Sequence, residues 1–310
     1  MEGSIRKRNE VEFFGRIQIK RAQKRIPGKR SKKLSAGEVI LHIFMAALVA
    51  FTSLPLVYMI NTAFKPLDEL FLFPPRFFVR NPTVQNFFDL AISLESSAVP
   101  FIRYIYNSLV VTTITVLCTV IVSALGAYGL VKHKPIGSRM VFNFIIAALM
   151  FSPHVTQIPR YMVVNNLKLV NSYWALIIPN IAVAYNFFLM KQFTEQFPDE
   201  LLDSARVDGA NEWKTFWKVV MPSLAPAWST LIVFSFVSNW NDYFSPLIYI
   251  TDLAKKTLPL ALQTISGGGS IARAGAVAAA TMLMTMPTII IFMAMQARVM
   301  ETMTYSGIKG

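Results

Sequence analysis

Side chains that commonly do chemistry are thinly spread along this chain. The three histidines, His42, His133 and His154, stand far apart, and the single cysteine, Cys118, has no partner for an intrachain disulfide. No His-x3-His or Cys-x2-Cys spacing offers a metal site. There is no Gly-x4-Gly-Lys-Ser/Thr phosphate loop, and Gly267-Gly268-Gly269 lacks the strand–turn–helix setting of a phosphate cradle. What is concentrated is acid: Asp199, Glu200, Asp203 and Asp208 fall within ten residues, followed by Gly209-Ala210 and, eight residues on, by Val219-Val220-Met221-Pro222. Such a segment suits ionic docking to another macromolecule and not the making or breaking of bonds.

The segment reads as two short helices. Pro198 starts the first, with Asp199 and Glu200 in the turn where a helix dipole favours negative charge. Leu201, Leu202 and Ala205 are expected on one apolar face, and Gly209 permits a sharp reversal. Trp213, Phe216, Trp217 and Val220 then form the apolar stripe of a second helix, which Pro222 closes. On physics alone, such a pair is equally suited to lying on lipid headgroups and to being presented to a protein.

The elements around this segment are apolar. In 310 residues the hydrophobic fraction is 54% and the charged fraction 15%, and the apolar residues are gathered into long runs. Six windows, Val39–Ala63, Ser108–Val131, Met140–Val163, Ser172–Met190, Ala227–Ile250 and Ala274–Val299, approach the ~20 residues needed to cross a bilayer. Lipid offers no partner to exposed backbone groups and the runs lack strand alternation, so the expected fold is an all-α integral membrane protein with six transmembrane helices. The first window is too long for a signal-peptide core and is expected to be retained.

The net charge of +13 is unevenly placed: twelve of the thirty Lys and Arg residues precede Glu38. Counted by alternate loops, one side of the membrane carries 21 of them and the other 9, which predicts that both termini are cytoplasmic. Residues 1–37 then form a basic cytoplasmic tail that touches anionic lipid and not nucleic acid, and residues 38–310 form the membrane domain. The loop of residues 199–222 falls on the cytoplasmic side. On the opposite side, residues from Lys65 to about Phe101 are rich in Phe and Pro, which suits packing at the membrane interface. Ser266-Gly267-Gly268-Gly269-Ser270 marks an external turn, either a loose loop or one able to enter a partner's cleft.

Polar side chains inside spans are costly and mark candidate pathways. Asn239, Trp240, Asn241, Asp242 and Tyr243 form one such group, with amides to bond hydroxyls and rings to stack on an apolar ring face; helix–helix hydrogen bonding is the competing reading. Asn61, Asn107, Asn143, His154, Asn180 and Asn186, taken singly, read as structural hydrogen bonds. The third span is expected to break at Ser152-Pro153-His154 and again at Pro159.

The spacing Asp203-Ser204-Ala205-x2-Asp208-Gly209-Ala210-x8-Val219-x-Met221-Pro222 resembles the EAA loop of binding-protein-dependent ABC importer permeases, Glu-Ala-Ala, two residues, Asp-Gly-Ala, eight residues, Ile-x-Leu-Pro. Pro74-Pro75, Pro82-Thr83-x2-Asn86-Phe87, Asn107-Ser108-Leu109, Trp240-Asn241-Asp242, Thr257-Leu258-Pro259-Leu260 and Gly307-Ile308-Lys309-Gly310 extend the resemblance to the maltose-type carbohydrate family over nearly all of residues 38–310. The resemblance implies a type I importer permease whose 199–222 loop is a coupling helix seated in a cytoplasmic ATPase subunit. Asp203, Ser204, Ala205, Asp208, Gly209, Ala210 and Pro222 would make that contact, Asp203 standing one methylene short of the family's glutamate and Ser204 replacing its first alanine.

The implied partners are a second homologous permease, two ATPase subunits that bind ATP and Mg2+, and an extracytoplasmic sugar-binding protein contacted by Gly267, Gly268, Gly269 and Arg273. The implied cargo is a carbohydrate, with no catalytic residue, cofactor or metal in this chain itself. An ion-driven sugar transporter and a membrane enzyme using Asp242 and His154 on lipid-linked sugars are the rival readings.

Overall fold

A computed structural model describes residues 36–95, 99–266 and 274–307, and every regular element among them is helical. The chain runs from α1 (Ala36–Ala63) through a short turn, α2 (Leu67–Leu70), and an amphipathic helix, α3 (Gln85–Glu95), to α4 (Phe101–His133), whose last five residues widen into a π turn. Then come α5 (Ser138–Leu149), α6 (Pro153–Asn166), α7 (Trp174–Ile181), α8 (Ala184–Gln196), α9 (Asp199–Val207) and α10 (Glu212–Ser223). The last four are α11 (Ala225–Trp240), α12 (Phe244–Tyr249), α13 (Leu258–Ser266) and α14 (Ala274–Gly307).

Among these, α1, α4 and α14 are each long and apolar enough to cross a membrane. Three bent pairs, α5 with α6, α7 with α8 and α10 with α11, raise the number to six if each pair is one span. The bends are 113°, 41° and 76°. The first falls at the expected Ser152-Pro153, where proline occupies the opening turn of α6 and its missing N–H leaves no orphan donor. Pro159, expected to break the span again, stays inside α6. The fifth window also differs from expectation: α11 stops at Trp240, because the Asp242 carboxylate accepts the Phe244 and Ser245 backbone N–H groups at 3.0 Å each and starts α12 instead.

The chain divides into two compact units, Met1–Pro55 and Leu56–Gly310. In the first, the described residues are the opening stretch of α1, whose side chains are almost all exposed. The second is organised around α4, which packs against α7, α8 and α11, while α11 also packs along α14. The buried face of α4 mixes small groups, Ser108, Thr112, Thr115, Thr119, Ser123, Ala124 and Ala127, with the larger Tyr104, Val111, Val116, Val120 and Tyr128. Thr115 returns its hydroxyl to the Val111 carbonyl at 2.8 Å, and Thr119 donates across to the Asn180 carbonyl at 3.2 Å. Helices approach closely here, since a Cβ on Gly126 would lie 2.8 Å from the Phe187 ring. Asn186 ties α8 to α11 through Ser235 at 3.2 Å.

The long connection between α1 and α4 is fixed by buried polar groups together with Phe87, which packs on a buried cluster, and Phe77, which packs on Tyr58. Lys65 donates to the Arg76 carbonyl, and Glu69 accepts from the Arg80 and Asn81 N–H groups at 3.1 and 3.0 Å, which hold its carboxyl below the ordinary glutamate range. Asn86 donates to the Ala63 and Lys65 carbonyls at 2.9 and 2.7 Å. Phe71, Phe73 and Phe78 remain exposed.

Candidate functional site

The acidic segment folds as two short helices joined by a glycine turn. α9 ends in a Schellman arrangement: the Ala210 N–H bonds the Ala205 carbonyl at 2.9 Å, the Gly209 N–H bonds the Arg206 carbonyl at 3.0 Å, and Gly209 takes φ +73°. Two residues later the Asn211 side chain accepts the Lys214 N–H at 2.8 Å and opens α10. Asp208-Gly209-Ala210-Asn211 is thus one continuous stop-and-restart signal, and its geometry needs a residue tolerant of positive φ at 209.

Only part of the expected apolar face turns inward. Leu202, Ala205, Phe216 and Val220 are buried, and Leu202, Phe216 and Val220 join a cluster with Val120, Ala124, Tyr128, Met190 and Leu231. Leu201, Trp213 and Trp217 are exposed, and Val207 is 87% exposed. Asp203, Ser204 and Asp208 are exposed as well. Asp203 pairs within its own helix, at 3.2 Å from Arg206. An acidic, partly apolar surface therefore stands outward on a base that is packed inward.

Two ties, invisible in the sequence, fasten this base to the end of α4. The Lys132 ammonium, whose side chain is only 8% exposed, donates to the Phe197 carbonyl at 2.6 Å and to Asp199 at 2.7 Å. The hydrogen bond from Lys132 holds the Asp199 carboxyl below the ordinary aspartate range. At the other helix, the buried Tyr128 hydroxyl donates to Glu212 at 2.8 Å, with its ring packed between Phe216 and His133. Glu212 also lies 3.5 Å from both His133 and Arg206, and holds the Arg206 guanidinium more firmly charged. The two ties join residues 67 and 84 positions apart, so no local spacing announces them. The run Lys132-His133-Lys134 reads as an ordinary cytoplasmic turn until the fold brings it against the loop.

The second group of candidates is divided. Asn239 and Asp242 meet Ser108, Thr112, Asn180 and Thr257, with Val111, Leu176 and Pro246, around a small cavity of about 10 Å3 and mixed polarity. That is room for about one water molecule and excludes a sugar in this conformation. The Thr257 hydroxyl is buried without a partner among the described residues. Trp240 turns the other way, stacked on Phe236 and donating its indole N–H to the Met284 carbonyl at 3.0 Å. Asn241 bonds the carbonyl of Val237 in its own helix, and Tyr243 is exposed. Asn107 is fully committed, donating to the Ala254 and Lys256 carbonyls and accepting from Tyr173. His154 is exposed at the start of α6 and does not line the cavity that Asp242 lines. Gly267, Gly268, Gly269 and Arg273 lie outside the described residues. No group of three or more His, Cys, Asp or Glu side chains among the described residues is placed to hold a metal.

Comparison with known proteins bears on this geometry. The profile of a family described as "Binding-protein-dependent transport system inner membrane component" matches residues 119–304. The chain is 29% identical to "Protein LplC" of Bacillus subtilis (strain 168) over 286 residues, 86% of this chain and 93% of that protein. It is 31% identical over 233 residues to the B. subtilis "Polygalacturonan/rhamnogalacturonan transport system permease protein YtcP", covering 74% of this chain and 77% of the relative. It is 26% identical to the B. subtilis "Arabinooligosaccharides transport system permease protein AraQ", covering 91% and 99%. Among solved structures, a chain of a bacterial ABC transporter involved in the import of the acidic polysaccharide alginate has the same fold, with a TM-score of 0.72 at 22% identity over 85% of this chain and 98% of that one.

Proposed function

Since this chain belongs to the family of binding-protein-dependent transport system inner membrane components, we propose that it forms half of the membrane pathway of an ATP-driven importer whose cargo is a carbohydrate, an oligosaccharide in particular. The observation that carries the proposal is the outward acidic surface of α9 on a base locked to α4 by Lys132–Asp199 and Tyr128–Glu212. A force applied to that surface by a partner reaches α4 through charge-assisted bonds. Because α4 packs directly on α7, α8 and α11, it moves a membrane helix and not a loose loop. Transport permeases of arabinooligosaccharides and of polygalacturonan or rhamnogalacturonan among the relatives support the cargo class.

In this reading the chain has no ATPase chemistry of its own. Two cytoplasmic ATPase subunits bind ATP and Mg2+ and seat residues 199–222, a second homologous permease completes the pathway, and an extracytoplasmic sugar-binding protein delivers cargo near Gly267–Arg273. Both termini lie in the cytoplasm in this reading, which the placement of Lys and Arg supports. Closure of the ATPases rocks the helices as rigid bodies and widens the cavity beside Asn239 and Asp242, which at about 10 Å3 is too small for a sugar.

The test is purification of the native complex, followed by ATPase assays with binding protein loaded from a panel of oligosaccharides. At least one sugar is expected to raise turnover. A complex with no nucleotide-binding subunit overturns the importer reading, whereas a complex that no sugar stimulates overturns only the cargo class.

A further inference from the structure

Beside the coupling segment lies a cavity of about 510 Å3 that shares Lys132 and Asp199 with the transport reading and is otherwise lined by residues which that reading does not use. It opens between the π turn that ends α4, the start of α5 and the last turns of α8. Lys132, Lys134, Arg139, Lys191, Glu195 and Asp199 supply its charge. Two of the cations are spent inside it, Lys132 on Asp199 at 2.7 Å and Lys191 on Glu195 at 2.6 Å. Lys134 and Arg139 form no ion pair with any described residue, and both are exposed. The cavity therefore carries two uncompensated positive charges facing one space.

The same two helices continue past this cavity into a second one of about 410 Å3, lined by Val141, Phe144, Ile145 and Ala148 of α5 with Ala184 and Phe187 of α8, and almost wholly apolar. Phe142 divides the two chambers, its ring stacked on Phe188 at 6.4 Å and lying 3.6 Å beneath the Lys191 ammonium. From Arg139 to Ile145 the helical rise is ~9 Å. The interfacial layer of a bilayer is about 5–8 Å thick on each side, so one molecule lying along α5 would cross from polar to hydrocarbon depth in that span. Met140, Val141 and Phe144 are exposed, as a lipid-facing helix requires.

We propose that this two-chamber groove is a binding site for an anionic phospholipid, its phosphate against Lys134 and Arg139 and an acyl chain along Val141, Ile145 and Ala148. A free phosphate would need only the first chamber, and an uncharged lipid only the second. The combination of cations outside any ion pair and an apolar chamber adjoining them along the same two helices, on the far side of Phe142, suits a molecule having both ends. Basic pockets between membrane helices at a cytoplasmic boundary take acidic headgroups for the same electrostatic reason. A phosphate held there lies near Lys132 and Asp199, one of the two ties of the coupling segment, and competes with Asp199 for the Lys132 ammonium.

The site is tested on the full-length chain in nanodiscs of phosphatidylcholine doped with phosphatidylglycerol, with bound lipid counted by native mass spectrometry. The wild type is expected to retain phosphatidylglycerol in preference to phosphatidylcholine. Replacing both cations, Lys134→Gln with Arg139→Gln, should weaken retention about twenty-five-fold, at roughly fivefold per surface charge. Ala148→Trp fills the apolar chamber without touching charge, and should also release the lipid. Each replaced side chain is exposed, so the fold is not at stake. Unchanged retention in either variant overturns the proposal, as does displacement of the lipid by millimolar inorganic phosphate alone. The readout is lipid retention and not uptake, so its failure leaves the transport reading untouched.

Discussion

Removing the Tyr128 hydroxyl isolates the mechanical claim. Tyr128→Phe keeps the ring in its packed position between Phe216 and His133, at centroid distances of 5.6 and 5.2 Å, and deletes only the 2.8 Å bond to Glu212. A hydrogen bond to a charged acceptor contributes about 1.5–3 kcal/mol. The Glu212 side chain is 51% exposed, so solvent screening argues for the lower end. About 1.5 kcal/mol is roughly a tenfold change in the equilibrium between a coupling segment engaged with α4 and one detached from it. In proteoliposomes holding the complete transporter, the ratio of sugar imported to phosphate released is therefore expected to fall several-fold, up to the full tenfold. Basal hydrolysis should stay near wild type and the melting midpoint should fall by only about 3–6 °C. Glu212→Gln should lower the ratio too, and the double variant should fall no further than the worse single, because both act on one bond. An unchanged ratio in Tyr128→Phe, or additive losses in the double variant, refutes the idea that this bond transmits force.

Asp203→Lys should abolish uptake while leaving membrane insertion intact, since the exposed pair it loses with Arg206 at 3.2 Å is worth no more than about 0.5 kcal/mol; fractionation and uptake assays read the two separately. At Gly209, φ is +73° but no heavy atom lies within 4 Å of the place a Cβ would take, so the penalty is purely one of backbone conformation. Gly209→Asn should retain coupling and Gly209→Val should lose it, with Gly209→Ala costing about 1 kcal/mol in thermal stability. Gly275→Ala would set a Cβ 2.1 Å from the Asn86 side-chain oxygen, and Asn86 is pinned by two carbonyls, so a loss of about 1–3 kcal/mol is expected in a denaturation midpoint. Lys132 depresses the Asp199 carboxyl below its ordinary 3.8, so the tie is fully present above that value and is lost as pH falls through the depressed one. Asp199→Asn should remove this acid limb from a pH–stability profile measured with the isolated chain.

Much of the coupling segment can be read directly, because helix caps and glycine turns are local. Asp208-Gly209-Ala210-Asn211 states its own geometry, and the structure returns a reversal there. The spans with uninterrupted apolar runs, α1, α4 and α14, are equally plain. What escapes such a reading depends on groups far apart in sequence. Leu201, Trp213 and Trp217 share the helical stripe of Leu202 and Phe216, yet only the latter two meet the cluster from α4 and α8; periodicity gives a face but not its width. Pro153 opens a helix while Pro159 is absorbed within one, a difference decided by the backbone around each and not by residue type. Trp240 has the composition of a sugar-stacking residue, and its indole N–H is instead taken by a carbonyl of α14.

The hydroxyl-bearing side of α4 has a consequence for how this molecule moves. Large interlocked side chains act like gear teeth, and sliding one helix past another then means climbing over them. Ser108, Thr112, Thr115, Thr119 and Ser123 are short, and several carry a carbonyl or amide partner close at hand. Thr119 and Ser108 reach across to neighbouring elements while Thr115 bonds within α4, so few polar ties have to be exchanged if α4 shifts. A leucine at the fully buried Thr115, at the centre of that surface, would overpack the contacts of α4, and turnover and stability are both expected to fall.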